Sequence, residues 1–185
     1  MKKFTITELK KELSQKTKEE LVKEITTLCQ TFPQVKEYYQ AQGSDIKELL
    51  DKYKAIIEKE FIEGRTRGFP KLRFSIAKKA ITDFKKLTTD VELIADISFT
   101  YVESISWFNN MYNPDVEDFY IRPKNMFEDT LKLIKQHGLQ DKFENHAYEI
   151  IENATDGMGH NESLQVSSPP YLRRELGESV GSLKG

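Results

Sequence analysis

The chain has 185 residues, 38% of them hydrophobic and 31% charged, and its formal net charge at pH 7 is −2. This length supports one domain whose core needs no disulfide or metal, and the near-zero charge argues against a general nucleic-acid-binding protein. With one cysteine, no signal-peptide pattern and no apolar run long enough to span a membrane, we expect a cytoplasmic protein without a membrane partner.

Helical periodicity dominates the chain, because apolar residues recur at spacings of three and four along most of its length. Helix-capping and helix-breaking residues mark the ends of the predicted helices. Thr17 with Glu20 forms a capping-box pattern, Pro33 suits a first helical turn, and Gly64 suits a helix end. In chain order, the predicted helices cover about residues 7–14, 17–32, 33–42, 45–63, 71–87, 91–112, 123–137 and 139–154.

Two segments differ from this amphipathic pattern. Residues 64–70 contain two glycines and a proline and are predicted to form a loop. The helix predicted over 91–112 is apolar on most of its sides, which is typical of a helix at the centre of a protein. No alternating pattern persists long enough to predict a strand. We therefore predict an all-α domain of stacked antiparallel helical hairpins with seven or eight helices, and leave a superhelical arrangement open.

The predicted helical domain covers residues 4–158. The composition changes after it, because residues 159–185 contain glycines and a serine- and proline-containing run and supply no apolar helix face. Such a segment cannot bury enough apolar surface to fix its conformation. It is predicted to be a flexible tail.

Charge is distributed unevenly in the middle of the chain. Residues 64–86 contain eight basic residues and one acid, a net of +7. Residues 87–129 contain nine acids and two basic residues, a net of −7. Adjacent blocks of opposite charge indicate either two surfaces that meet within the fold or a place where a charged partner docks.

The preferred candidate site joins the basic loop, residues 64–73, to the helix predicted over 91–112. Its candidate ligand- or anion-binding residues are Arg65, Arg67, Lys71, Arg73, Asp96 and Glu103. Arginine suits bidentate contact with phosphate, and a helix N-terminus favours anions. Asp96 and Glu103 are seven residues apart and share one helix face, where we expect them to orient the arginines. A purely structural ion pair among these groups stays open as the simpler interpretation.

The leading hypothesis is a non-catalytic binding or scaffold protein whose partner is a protein or an anionic ligand. No catalytic residue, cofactor or metal ligand is assigned, and the oligomeric state is left open. One alternative is nucleic-acid or phosphate-ligand binding through residues 64–86. Another is a metal-dependent or acid–base enzyme that uses Asp96 and Glu103. The last hypothesis is a transition-metal centre formed by His146, Glu149 and His160.

Several short runs carry a resemblance to a known family. They are Leu9-Lys10-Lys11, Phe32-Pro33-Gln34-Val35-Lys36-Glu37-Tyr38-Tyr39, Lys71-Leu72-Arg73-Phe74-Ser75, Ala77-Lys78-Lys79-Ala80-Ile81, Asp83-Phe84-Lys85-Lys86-Leu87, Ala95-Asp96 and Tyr101-Val102-Glu103. With these runs the chain resembles, over about residues 5–164, an uncharacterised family of small bacterial all-helical proteins. The resemblance implies an all-helical fold and no established activity. Members of that family end in a Gly-aromatic-Gly-Phe-His stretch, which residues 157–162 replace here, and a further amphipathic helix, which the chain after Leu164 does not resemble.

Overall fold

A computed structural model of the chain describes residues 5–43, 46–65 and 67–168. These residues form helices and no strands, which confirms the predicted all-α class. A 3-10 turn, Gly157–Gly159, precedes the last helix. The α-helices of the described residues are α1 (Ile6–Leu13), α2 (Lys18–Thr31), α3 (Pro33–Ala41), α4 (Ile46–Phe61), α5 (Phe74–Phe84), α6 (Val91–Tyr112), α7 (Asp118–Gln136), α8 (Gln140–Glu152) and α9 (His160–Ser167).

The chain forms two compact units, the first ending at Ile46 and the second beginning at Lys47. Within the first unit, the predicted capping box is present, because the Thr17 hydroxyl accepts a hydrogen bond from the Glu20 backbone N–H. None of the described residues of α1, α2 and α3 is buried, and apolar side chains such as Val22 and Phe32 are exposed. The hydrophobic core and the preferred candidate site therefore belong to the second unit.

Helix α6 is central to the second unit, as its apolar sequence predicted, and it contacts α5, α7 and α8. Its side chains Phe99 and Val102 are fully buried. None of the described helices, α6 included, has both the length and the apolar composition needed to cross a membrane. The buried cluster around α6 consists of Ala95, Phe99, Val102, Phe127, Leu131, Ile134, Phe143, Ala147, Ile150, Ile151, Ala154 and Leu164.

Helix α7 begins at Asp118, five residues before the predicted start, and carries Pro123 inside it. A proline removes the backbone N–H that would bond to the carbonyl four residues back, here that of Phe119. The buried Asn109 on α6 supplies the missing donor, because its Nδ2 donates to the Phe119 carbonyl over 2.8 Å. A side chain from a neighbouring helix thus stabilises a helix that its own sequence disfavours.

The described helices continue past residue 158, where the predicted helical domain ends. Residues 160–167 form α9, and Leu164 on this helix is 0% exposed and joins the core cluster. Leu164 and the fully buried His160 anchor this short helix against neighbouring helices that provide the rest of the buried surface. Residues 169–185 of the predicted tail lie outside the described residues.

A cationic cleft between helices five, six and seven

The predicted loop after α4 is confirmed, but its arginine chemistry differs from the prediction. Leu72 adopts a positive φ of 57°, so α5 begins only at Phe74. Arg73 turns back to Glu60 on α4: its Nη2 donates to Oε1 over 2.6 Å and its Nε to Oε2 over 2.9 Å. Glu60 is only 3% exposed, and the Arg73 guanidinium holds the pKa of this carboxyl below its usual range. This ion pair therefore connects α4 to the start of α5.

The other predicted cations are also near α4 or in solvent. The Arg65 Nε lies 3.1 Å from a Glu58 carboxylate oxygen. Arg67 and Lys71 are exposed, and neither forms an ion pair with a described residue. The loop is therefore partly neutralised by the glutamates of the preceding helix.

The two predicted acids have partners other than the arginines. Lys54 on α4 donates to Asp96 over 2.7 Å, and His146 on α8 lies 2.8 Å from Glu103. The expected arrangement, with arginines facing Asp96 and Glu103, is thereby corrected. The physical reason is that glutamates of α4 pair with Arg65 and Arg73, while a lysine of α4 and a histidine of α8 pair with the two acids.

The His146–Glu103 pair predicts a measurable titration. The imidazole packs against the Phe99 ring, and its hydrogen bond to Glu103 raises the pKa of His146 against the opposing effect of burial. We expect Glu103→Gln to lower the His146 pKa in an NMR titration of the ring protons. Because the folded pKa is raised, the stabilisation is present below the unfolded value near 6.5 and disappears as pH rises through the folded pKa. The exposed Glu152→Gln serves as control, and an unchanged His146 pKa in Glu103→Gln contradicts the assignment.

A cleft of about 680 Å³ lies between α5 and α7, with α6 as its floor. Both outer helices pack on α6. At one end the Phe74 ring of α5 contacts the Phe119 ring of α7, with centroids 4.9 Å apart, and this contact brings the two helix starts together. The lining side chains begin beyond it, at Lys78 on α5. We call the end beside Phe74 and Phe119 the closed end.

The cleft is cationic. Its charged lining consists of four basic side chains, Lys78, Lys85, Arg122 and Lys132, and two acids, Asp118 and Asp129, a net of +2. Arg122 lies 2.7 Å from Asp118 and Lys132 lies 3.4 Å from Asp129. Lys78 on α5 and Lys85 at its C-terminal cap form no ion pair with a described residue, whereas the neighbouring Lys79 and Lys86 both pair with Asp83. The uncompensated charge therefore comes from Lys78 and Lys85.

Tyr101 forms part of the cleft floor. The residue is 2% exposed, its ring packs against Phe61 with centroids 6.2 Å apart, and its hydroxyl has no hydrogen bond to any described residue. Burial raises the pKa of Tyr101 to about 12, while the nearby charge of Arg122 lowers it and that of Asp118 raises it. Tyr101, Arg122 and Asp118 all line the same cleft.

A family model described as a family of unknown function, DUF6155, matches residues 4–164. The chain belongs to DUF6155. This confirms the resemblance inferred from the sequence runs, and the DUF6155 region extends from before α1 into α9. No curated protein and no solved structure matches the chain. Because the function of DUF6155 is unknown, membership in it assigns no chemistry to this protein.

Within the DUF6155 region, His160 is a fully buried histidine. Its Nε2 lies 3.2 Å from the Ser106 hydroxyl, its ring meets Tyr120 edge-on, and no described group partners its Nδ1. Burial lowers the pKa of His160 to about 4. The hypothesis of a metal centre with His146 and Glu149 is corrected, because no three potential ligands among the described residues lie close enough to hold an ion.

The sequence patterns did not predict the cleft, although the basic segment 64–86 contains part of its lining. Lys78 and Lys85 lie in the basic segment and are seven residues apart, so they share one face of α5. Tyr101 lies in one of the runs that carry the family resemblance. The position of Asp83 distinguishes the two pairs of lysines. Asp83 lies four residues after Lys79 and three residues before Lys86, which are the spacings at which helical side chains pair.

Proposed function

We propose that this DUF6155 protein is a non-catalytic binding protein that holds a small anionic ligand in the cleft between α5, α6 and α7. The observation that carries the proposal is the pair of uncompensated lysines, Lys78 and Lys85, over a cleft with a net positive lining. Its volume, about 680 Å³, is within the usual range for small-molecule sites. The proposal corresponds to the alternative of phosphate-ligand binding through residues 64–86. It places the ligand beside α5 and not at the loop formed by residues 64–73.

The hydroxyl groups in the cleft support binding rather than nucleophilic chemistry. Ser98 donates to the Ile94 carbonyl and Thr130 to the Met126 carbonyl, both over 2.7 Å. A serine or threonine nucleophile needs a general base at hydrogen-bonding distance, and these hydroxyls bond to their own helices instead.

The proposal includes the cytoplasmic location, which rests on the single cysteine, Cys29.

The cleft also favours a small ligand over nucleic acid. Its cations are interleaved with Asp118 and Asp129, which would repel a continuous phosphate backbone, and the formal net charge is −2. Tyr101 is the one aromatic residue of the lining and is almost wholly buried, so the described cleft provides no exposed stacking platform for bases.

The test is calorimetric titration of the full chain with inorganic pyrophosphate at low salt. We expect Lys78→Gln/Lys85→Gln to weaken binding about tenfold or more, since each cation contributes about 1 kcal/mol to an anion at contact in water. Lys79→Gln/Lys86→Gln is the matched control, because it removes the same charge from adjacent positions at the same spacing.

Three results contradict the proposal. They are the absence of pyrophosphate binding by the wild type, an equal loss in the control variant, and tighter binding of a single-stranded oligonucleotide or an acidic peptide than of pyrophosphate. A steep fall of affinity with salt is expected in every case and does not by itself identify the site.

A further inference from the structure

The closed end of the cleft brings together donors from three helices. The Arg122 guanidinium lies over the Phe74 ring at 4.9 Å, and this aromatic face holds it at the junction of α5 and α7. Lys78 follows Phe74 by one helical turn and therefore projects from the same face of α5. Both cations belong to the lining of the cleft, so an anion at the closed end can reach the two together.

The Tyr101 hydroxyl is the third donor. A buried hydroxyl without a hydrogen bond is unfavourable, and such groups in proteins almost always have a partner. The sealed and unpartnered side-chain atoms of the described residues are Asn109 Oδ1 and His160 Nδ1. The Tyr101 hydroxyl is not one of them, so it touches the open volume of the cleft and can be partnered from there.

We infer that the closed end anchors the terminal phosphate of an organic phosphate monoester through Arg122, Tyr101 and Lys78, and that Asp118 occupies Arg122 when no ligand is bound. The inference rests on the proposed function and names the ligand class and an internal competitor at that site. A guanidinium binds two oxygens side by side, the phenol donates to a third, and the ammonium adds charge. A phosphate monoester offers three such oxygens, whereas a carboxylate offers two.

Asp118 acts as the competitor because it mimics the ligand. Its carboxylate oxygen lies 2.7 Å from Arg122 Nη2, one turn away on the same helix, and both side chains are about half exposed. A carboxylate in this position can rotate into solvent at little cost when a phosphate replaces it. Removing its charge leaves Arg122 in place on Phe74 and makes it available to the ligand.

The experiment is calorimetric titration with glycerol phosphate and, in a second arm, with glycerate as the matching carboxylate. We expect Tyr101→Phe to weaken glycerol phosphate binding about tenfold, as for loss of a hydrogen bond to a charged group. Asp118→Asn is expected to tighten it about threefold, as for removal of an exposed ion-pair competitor. Glycerate is expected to bind more weakly than glycerol phosphate and to be insensitive to Tyr101→Phe.

The protonation of the ligand gives a second readout. The second pKa of a phosphate monoester is about 6, so affinity for glycerol phosphate is expected to rise as pH increases through that value and the dianion forms. The Arg122 Nε–H resonance, assigned from Arg122→Lys, is expected to shift on addition of glycerol phosphate to the wild type. This measurement needs no variant in the ligand-bound state.

The outcomes separate this inference from the proposed function. If pyrophosphate binding depends on Lys78 and Lys85, but Tyr101→Phe and Asp118→Asn bind glycerol phosphate like the wild type, the anchor is wrong and the proposed function stands. An Arg122 resonance that does not respond to glycerol phosphate overturns the anchor in the same way. If the wild type binds neither pyrophosphate nor glycerol phosphate, both statements fail.

Discussion

Replacing Leu164 by alanine is expected to lower the free energy of unfolding by about 3 kcal/mol. The side chain is 0% exposed and belongs to the cluster that joins α6, α7, α8 and α9. Truncation removes apolar contacts within this cluster and leaves a cavity that the neighbouring side chains fill only in part. Chemical denaturation followed by far-UV circular dichroism measures the change, because the described residues are largely helical.

The control for this experiment lies two residues away on the same helix. Val166 is 62% exposed, so Val166→Ala is expected to change the free energy of unfolding by no more than about 0.5 kcal/mol. If Leu164→Ala and Val166→Ala have equally small effects, α9 does not pack into the core in solution. The prediction that the flexible tail begins at residue 159 would then hold.

Glu60→Gln is expected to destabilise the protein by about 2 kcal/mol at pH 7, because the buried carboxylate accepts hydrogen bonds from a guanidinium and a backbone N–H. Glutamine keeps the shape of the side chain and one acceptor oxygen but loses the charge. The matched control is Glu58→Gln on the same helix, whose partner Arg65 is half exposed. That exposed pair is expected to contribute only about 0.5 kcal/mol.

The loss of stability in Glu60→Gln should depend on pH if the charge of the carboxylate causes it. The folded pKa of Glu60 is lowered from the ordinary value of 4.5, with the Arg73 hydrogen bond as the largest contribution. The stabilisation is therefore fully present above 4.5 and is lost as pH falls through the folded pKa. Denaturation at a series of pH values should show wild type and Glu60→Gln converging in acid. A difference that persists unchanged at low pH would mean that packing, and not charge, explains the effect.

The local rules of the sequence determined most of the helices. The capping box at Thr17, the proline at the start of α3 and the glycine-punctuated loop after α4 all involve residues within a few positions of one another, and each is present in the structure. The apolar surface of α6 likewise indicated its central position without any knowledge of its neighbours. The family resemblance rested on short runs of the same kind.

The charge partners depended on long-range packing. Periodicity places Asp96 and Glu103 on one helix face, but it does not say which helix covers that face. Asp96 pairs with Lys54, 42 residues earlier, and Glu103 pairs with His146, 43 residues later. The opposite charges of residues 64–86 and 87–129 suggested that the loop arginines face these two acids, whereas α4 and α8 supply the partners of the acids.

The sequence by itself determined the helical class, most helix boundaries and the basic segment from which two cleft lysines come. Only the tertiary structure decided that α7 continues through Pro123, that α9 belongs to the core, and that Lys78, Tyr101 and Arg122 share one cleft. The reason is the range of the interactions. Helix formation depends on neighbours three or four residues away, whereas Asn109 bonding to Phe119, Leu164 burial and the cleft all require distant segments to be packed first.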